Sequence, residues 1–196
     1  MTTAHRSDHQ HPLGLNTALD FLNTLDLDDG QVTEHLQEPS DAAAWFATRD
    51  LGHGSAGTPW SAADLEHVRH VRAALREVVE AVIAGRRPDP GAVRVVNETL
   101  EARAPARLEL DGQGIRVGHA HAPSAVDDAL ARVADTITDE LATGRPDRFR
   151  ICANDTCRWA FFDSSPTGRR RWCDMQTCGN RAKAARHRAK LKATTA

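Results

Sequence analysis

The sequence predicts a mainly helical α+β fold, in which a helical N-terminal domain with a small β-hairpin precedes a compact, treble-clef-like module that contains the cysteines. Three observations support this prediction. Several segments repeat apolar residues with the period of a helix, one segment alternates apolar and polar residues around a turn, and all four cysteines lie between residues 152 and 178. A chain of 196 residues can form one domain or two unequal ones.

The predicted helices begin at Leu15, Ser40, Ser61, Asp89 and Ser124. The Ser61 helix has the strongest start signal, because a Ser61 hydroxyl and an Asp64 carboxylate can cap each other's backbone N–H groups. The first helix repeats apolar residues as far as Leu25, and the last ends at Gly144. Residues up to Pro12 show no periodicity, so we expect a loose segment there.

The hairpin is predicted between residues 108 and 117, where apolar residues alternate on either side of an Asp-Gly-Gln-Gly turn. We expect it to be the main strand pair of the N-terminal domain. The link Gly144-Arg145-Pro146-Asp147 is typical of a domain boundary, which divides the chain into residues 1–144 and 145–196.

Charge is distributed very unevenly across this boundary. Residues 1–144 hold 12 basic and 23 acidic side chains, a balance of −11, whereas residues 145–196 hold 13 basic and 4 acidic ones, a balance of +9.

No basic segment followed by an apolar run opens the chain, and no stretch is apolar enough to span a membrane, so we expect a cytoplasmic protein. Thiols stay reduced in that compartment, which favours metal binding over disulfides.

The cysteine spacing is C-x4-C, then fifteen residues, then a second C-x4-C. Two short chelate loops can place four thiolates around one Zn²⁺, so the sequence predicts a single structural zinc ion bound by Cys152, Cys157, Cys173 and Cys178. Four sulfur ligands leave no open position for a substrate, so we expect no catalysis there. Between the pairs we expect a strand around Phe161, a turn at Ser164–Gly168 and a returning strand from Arg169 to Trp172.

The segment after Cys178 is predicted to be a basic helix that starts at or next to this ligand. Two stripes of cations follow from the helical period, and no acidic residue occurs after Asp174 to neutralise them. A polyanion would relieve their repulsion. The predicted nucleic-acid contacts are Arg169, Arg170, Arg171, Arg181, Lys183, Arg186, Arg188 and Lys190.

The module contains Cys178-Gly179-Asn180-Arg181, preceded by Arg171-Trp172-Cys173 and Cys157-Arg158-Trp159. These residues resemble the bacterial CGNR zinc finger family over about residues 150 to 190. The preceding part resembles the ABATE domain of the same proteins, mainly through Ala18 to Thr24 and the region from Asp41 to Trp45. The resemblance implies a stress-induced transcription regulator, with the four cysteines as zinc ligands and the basic C-terminal region as the DNA contact.

Several alternatives remain open at this point. The basic helix can instead dock an acidic protein partner or the chain's own acidic domain, and RNA can replace DNA, most readily if Trp159 or Trp172 stacks on bases.

For the N-terminal domain, a homodimer and a small-molecule signal are further alternatives. Asp20, Asn23 and Thr24 either line a pocket for that signal or form an ordinary polar flank. The sequence has no glycine-rich phosphate loop and no nucleophile motif, so we expect no enzyme.

Overall fold

The computed structural model describes residues 13–28, 30–51, 59–103, 106–112, 114–119 and 124–194. The predicted loose segment up to Pro12 lies outside these residues. The helices are α1 (Leu15–Leu22), α2 (Pro39–Ala47), α3 (Ala62–Ile83), α4 (Pro90–Glu101), α5 (Ala125–Thr143) and α6 (Asn180–Thr194). The strands are β1 (Leu25–Asp28), β2 (Gln31–Glu34), β3 (Ala106–Asp111), β4 (Gly114–His119), β5 (Phe149–Ile151) and β6 (Ala160–Phe162). The predicted mainly helical α+β fold is confirmed.

The core forms around α3, which starts at the capping signal predicted from the sequence. Asp64 N donates to Ser61 Oγ at 3.2 Å, and Ser61 N donates to the Asp64 carboxylate at 2.7 Å. Helices α1, α2, α4 and α5 bury their apolar faces against α3 and against one another. The largest fully buried side chains of this core are Phe21, Phe46, Phe149, Leu19, Leu22, Leu36, Leu51, Leu75, Leu130 and Ile137.

Two predictions about the first helices were wrong. Helix α1 ends at Leu22, and Leu25 lies in strand β1, so the apolar repeat runs across two elements. Helix α2 is capped by Glu38, one residue before Pro39, and Ser40 lies within its first turn. In α2 a local alternative competes with the expected signal, because a Pro fits the first helical turn and Asp41 completes a capping box with Glu38.

The strands form three separate antiparallel pairs, β1 with β2, β3 with β4, and β5 with β6. The predicted hairpin is confirmed as β3–β4, in which Leu108 pairs with Val117 and Leu110 with Ile115. The pair β1–β2 was missed by the sequence analysis. It is short, and its Leu-Asp-Leu-Asp strand continues the apolar repeat of the preceding helix.

One core extends across the predicted domain boundary. Phe149 of β5 and Ala160 of β6 belong to the same buried cluster as the helices, and Ile151 and Phe162 pack against it. The hairpin that carries the first cysteine pair is therefore packed on the helical domain. No helix among the described residues combines the length and the apolar character that crossing a membrane requires.

A buried ion pair ties α3 to the β1–β2 hairpin. Arg72 Nη1 donates to Glu34 Oε1 at 2.8 Å and to Thr24 Oγ1 at 2.9 Å, while Arg72 Nη2 contacts Glu34 Oε2. Burial acts to raise the pKa of Glu34, but hydrogen bonds from Arg72 and from Leu36 N outweigh it and lower the pKa below its usual value. The charged pair is therefore part of the folded state.

We expect Glu34→Gln to destabilise the fold by about 2 kcal/mol, because it leaves Arg72 without its charged partner. This is less than a fully buried pair would lose, since the Glu34 side chain keeps 25% of its exposure. Urea unfolding measures the change. Because folding lowers the Glu34 pKa, the wild-type advantage should be complete above about pH 5 and fade as the pH falls through the folded pKa. The exposed Arg94–Glu98 pair provides the control, and Glu98→Gln should change stability by less than about 0.5 kcal/mol.

Candidate metal centre

The first cysteine pair is carried by the β5–β6 hairpin. Cys152 directly follows β5, and its N–H donates to Trp159 O at 2.8 Å across the hairpin. Cys157 N donates to Asn154 O at 2.9 Å, which closes a tight turn within the chelate loop. Arg158 follows Cys157 with φ at 58°, so the chain reverses directly after the second sulfur and enters β6. The hairpin thus brings the thiols of Cys152 and Cys157 to the same side of the loop that joins β5 and β6.

Of the second pair, Cys178 lies in a π-helical turn, Met175–Gly179, that leads into α6, and Cys173 lies just before Asp174 at the start of this turn. Asp174 caps this turn, because Thr177 N donates to Asp174 Oδ1 at 2.7 Å. Gly179 is buried, and a Cβ there would lie 2.8 Å from Met175 Sδ, so a larger residue would have to displace the Met175 side chain. Asn180 Nδ2 donates to Gln176 O at 2.9 Å and holds the turn against the helix. Cys178 therefore lies beside the helix start, as predicted.

The four sulfur atoms form one cluster, in which all lie within 4.8 Å of one another. Cys173 Sγ lies 3.7 Å from Cys157 Sγ and 3.8 Å from Cys178 Sγ. Four sulfurs bound to zinc at about 2.3 Å in a tetrahedron are separated by about 3.8 Å, so these distances fit zinc. They are far too long for disulfides, and all four cysteines are free.

The electrostatics of the cluster also call for a cation. Burial and the neighbouring Cys152 sulfur raise the pKa of Cys157 to about 12. Burial and the neighbouring sulfurs of Cys152 and Cys157 raise the pKa of Cys173. The pKa of Cys178 is lowered despite its burial, because Asn154 Nδ2 donates to its Sγ at 3.5 Å. Four thiolates can therefore coexist here only when a cation offsets their repulsion, and zinc supplies that charge.

The segment between the two pairs is a loop held by one buried carboxylate. Asp163 is fully buried, its Oδ1 accepts from Ser165 N at 3.0 Å, and its Oδ2 accepts from Arg170 N at 2.7 Å. The predicted turn at Ser164–Gly168 is present, but the predicted returning strand from Arg169 to Trp172 is wrong. Strand β6 pairs with β5, which precedes the first cysteine, because Phe149 and Phe162 can then both face the helical core.

Comparison with known families agrees with this architecture. Residues 15–144 match the ABATE family, whose description is "Putative stress-induced transcription regulator". The chain belongs to the ABATE family. Residues 148–190 match the CGNR zinc finger, so the resemblance drawn from the sequence is confirmed in both parts. No curated protein matches the chain. The finger match and the clustered sulfurs together fit one structural Zn²⁺.

The CGNR finger is attached to the ABATE domain by a specific set of hydrogen bonds. Asn23 Nδ2 donates to Ala160 O at 2.9 Å, and Ala160 N donates to Asn23 Oδ1 at 2.9 Å, with Asn23 buried. Trp159 Nε1 donates to Asp26 Oδ2 at 2.9 Å, and Arg76 Nη2 donates to Arg158 O at 2.6 Å. The side-chain amide of Asn23 thus acts as an additional strand partner for β6.

The roles expected for the polar residues in and directly after α1 change accordingly. Asn23 and Thr24 are both engaged inside the protein, Asn23 with the finger and Thr24 with Arg72, so they do not line an open pocket. Asp20 is exposed. The role of Asn23 as the anchor of the finger was not predicted, since only the fold brings residue 23 beside residue 160. The available signal in the sequence was an asparagine directly after an apolar helix.

The structure places the predicted basic residues in two groups. Arg169 and Arg171 are exposed, whereas Arg170 donates to Cys173 O and lies 5.1 Å from the Phe161 ring. Arg170 therefore holds the finger together. In α6, every residue from Lys183 to Leu191 is exposed, so the helix extends away from the core. Trp172 packs against the cysteine cluster as expected, while Trp159 lies at the junction and is 37% exposed.

We expect one zinc ion per chain, and Cys173→Ser should lower the zinc content well below one because a hydroxyl is a poor zinc ligand. Mass spectrometry of metal content after exposure to a chelator measures this. Zinc uptake by metal-free protein should also release protons, which a pH indicator detects in weakly buffered solution. The control is Ser164→Ala in the exposed part of the loop, which should keep its zinc. A Cys173→Ser protein that holds one zinc as tightly as wild type contradicts the proposed ligand set.

We expect Asn23→Ala to reduce the free energy of unfolding by about 2 to 4 kcal/mol, because two buried backbone groups of Ala160 lose their partners. Asn16→Ala, at an exposed position of the same helix, is the matched control and should change it little. Hydrogen exchange at the Ala160 amide should accelerate in the Asn23 variant. An unchanged exchange rate would show that the finger is held by other contacts.

Proposed function

We propose that the chain is a transcription regulator that binds DNA through α6 and the exposed arginines of its CGNR finger. The observation that carries the proposal is a basic helix that starts at a zinc ligand and is open to solvent from Lys183 to Leu191. The metal centre lies at the start of this helix, and the side chains from Lys183 to Leu191 stay exposed beside the described part of the acidic ABATE domain. The zinc ion has a structural role, and the chain is not an enzyme.

The cations of α6 lie on two opposite sides of the helix. With about 100° between successive residues, Lys183, Arg186 and Lys190 lie on one side, and Arg181 and Arg188 lie on the other. A flat acidic surface would meet only one of these stripes at a time. A groove of a duplex has a phosphate backbone along each edge, so it can meet both stripes together.

The size of the helix favours DNA over double-stranded RNA. The major groove of B-form DNA is about 12 Å wide, which admits an α-helix of about 10 to 12 Å in diameter. The corresponding groove of A-form RNA is too narrow and deep. Single-stranded RNA is also less favoured, because Trp159 bonds to Asp26 and Trp172 packs on the cysteine cluster, so neither is free to stack on bases.

The remaining basic residues support the same interpretation. Arg169 and Arg171 are exposed on the loop before Cys173 and can reach a second set of phosphates, whereas Arg170 is engaged within the finger. A zinc ion with four thiolates carries a net charge of −2, which leaves residues 145–196 at +7 after the balance of +9 is corrected. The finger thus stays strongly basic when zinc is bound.

The proposal is tested with full-length protein, because β5 and β6 share the core of the ABATE domain. Binding to duplex DNA should weaken steeply with salt, by about 0.9 log units per phosphate contact for each log unit of salt. The double variant Arg186→Gln with Arg188→Gln removes one cation from each side of α6. It should lower the salt slope by about 1.8 if each arginine contacts one phosphate. Fluorescence anisotropy of a labelled duplex measures both quantities.

The matched control is Arg87→Gln with Arg94→Gln, which removes two exposed arginines from the ABATE domain and should leave the slope unchanged. Equal slopes for the two double variants would mean that α6 is not the contact surface. Tighter binding to single-stranded RNA would support the RNA alternative. Binding to polyglutamate but to no nucleic acid would support docking to an acidic protein.

A further inference from the structure

A cleft of about 470 Å³ lies where the ABATE domain meets the CGNR finger. One wall is the β1–β2 hairpin, a second is α3, and the Cys157–Arg158 segment of the finger closes one end. Small-molecule sites commonly have volumes of about 300 to 1,000 Å³ and occur where two structural units meet. The size and position of this cleft are therefore those of a ligand site.

The floor of the cleft is an apolar face that the described residues leave partly exposed. Leu25 and Leu27 alternate along β1, and Val32 pairs with Leu27 across the hairpin, so the three side chains lie on one face. Leu25 is 40% exposed and Val32 is 72% exposed. An apolar ligand would remove this surface from water, which is the main source of affinity in such sites.

The charges around the cleft are almost all neutralised within the protein. Arg76 Nε donates to Glu80 Oε1 at 2.7 Å, Arg86 pairs with Glu77, and Asp26 accepts from Trp159. Arg158 is the exception. Its carbonyl accepts from Arg76, but no described residue accepts a hydrogen bond from its exposed guanidinium. A ligand that matches this pattern has an apolar body and one negative charge.

We propose that the cleft binds an amphipathic monocarboxylate, whose apolar chain or ring packs on Leu25 and Val32 and whose carboxylate pairs with Arg158. A forked guanidinium suits a carboxylate because it can donate two parallel hydrogen bonds. Such a ligand contacts both the ABATE domain and the finger. It therefore stabilises the docked arrangement of the two over any arrangement that separates them. This site is distinct from the basic surface of α6.

The test uses decanoate as the probe, below the concentration at which it aggregates, with calorimetry on the zinc-loaded full-length protein. We expect one saturable site with a negative heat-capacity change. Decanol should bind about tenfold more weakly, because it has the same chain without the charge, and decylamine more weakly still. Arg158→Gln should remove the preference for decanoate over decanol, and Arg158→Lys should restore part of it.

Val32→Trp should abolish binding of both probes, because the indole fills the cleft from an exposed position that tolerates substitution. Leu110→Trp, on the exposed face of the β3–β4 hairpin, is the matched control and should bind decanoate normally. Zinc content is measured for every variant, since Arg158 follows a ligand. Absence of decanoate binding, equal binding of decanoate and decanol, or undiminished binding by Val32→Trp would each overturn the proposal. None of these results depends on whether α6 binds DNA.

Discussion

The finger depends on a cation that offsets the repulsion between four clustered thiolates, of which two are buried and two half-buried. The burial that raises the pKa of Cys157 and Cys173 makes a cluster of four charged thiolates unfavourable without a metal ion. A bound cation offsets this cost. The described elements beside this centre are short, and their packed cluster consists of the four cysteines, Phe161 and Trp172. Metal binding therefore contributes much of the folding free energy of the C-terminal half of the finger.

The N-terminal half of the finger has a second source of order, which is the ABATE domain. Phe149 and Ala160 lie in the helical core, and the amide of Asn23 pairs with both backbone groups of Ala160. The first pair of cysteines is thus placed by a hairpin packed on a hydrophobic core, and Cys178 of the second pair is placed by a capped turn. Zinc joins the two halves. The boundary in the sequence at residue 144 is therefore a change of composition and charge, while the packing is continuous across it.

Local signals in the sequence predicted the parts of the structure that local interactions determine. The capping pair Ser61 and Asp64, the turn between β3 and β4, and the spacing of the cysteines each act within a few residues, so each could be predicted. The pairing of β6 with β5 and the contact of Asn23 with Ala160 could not, because they join segments that only the folded core brings together. The Leu15 to Leu25 repeat was misleading for a related reason, since a helix and a strand share its apolar residues.

The open position of α6 separates the part of the molecule that must be conserved for folding from the part that can vary. Side chains from Lys183 to Leu191 are exposed, so their exchange costs little stability, usually within about 0.5 kcal/mol. The alanines among them give the helix high intrinsic propensity without any packed face. Relatives with the same metal centre and the same junction can therefore carry different residues along this helix and acquire different targets without refolding the scaffold that presents it.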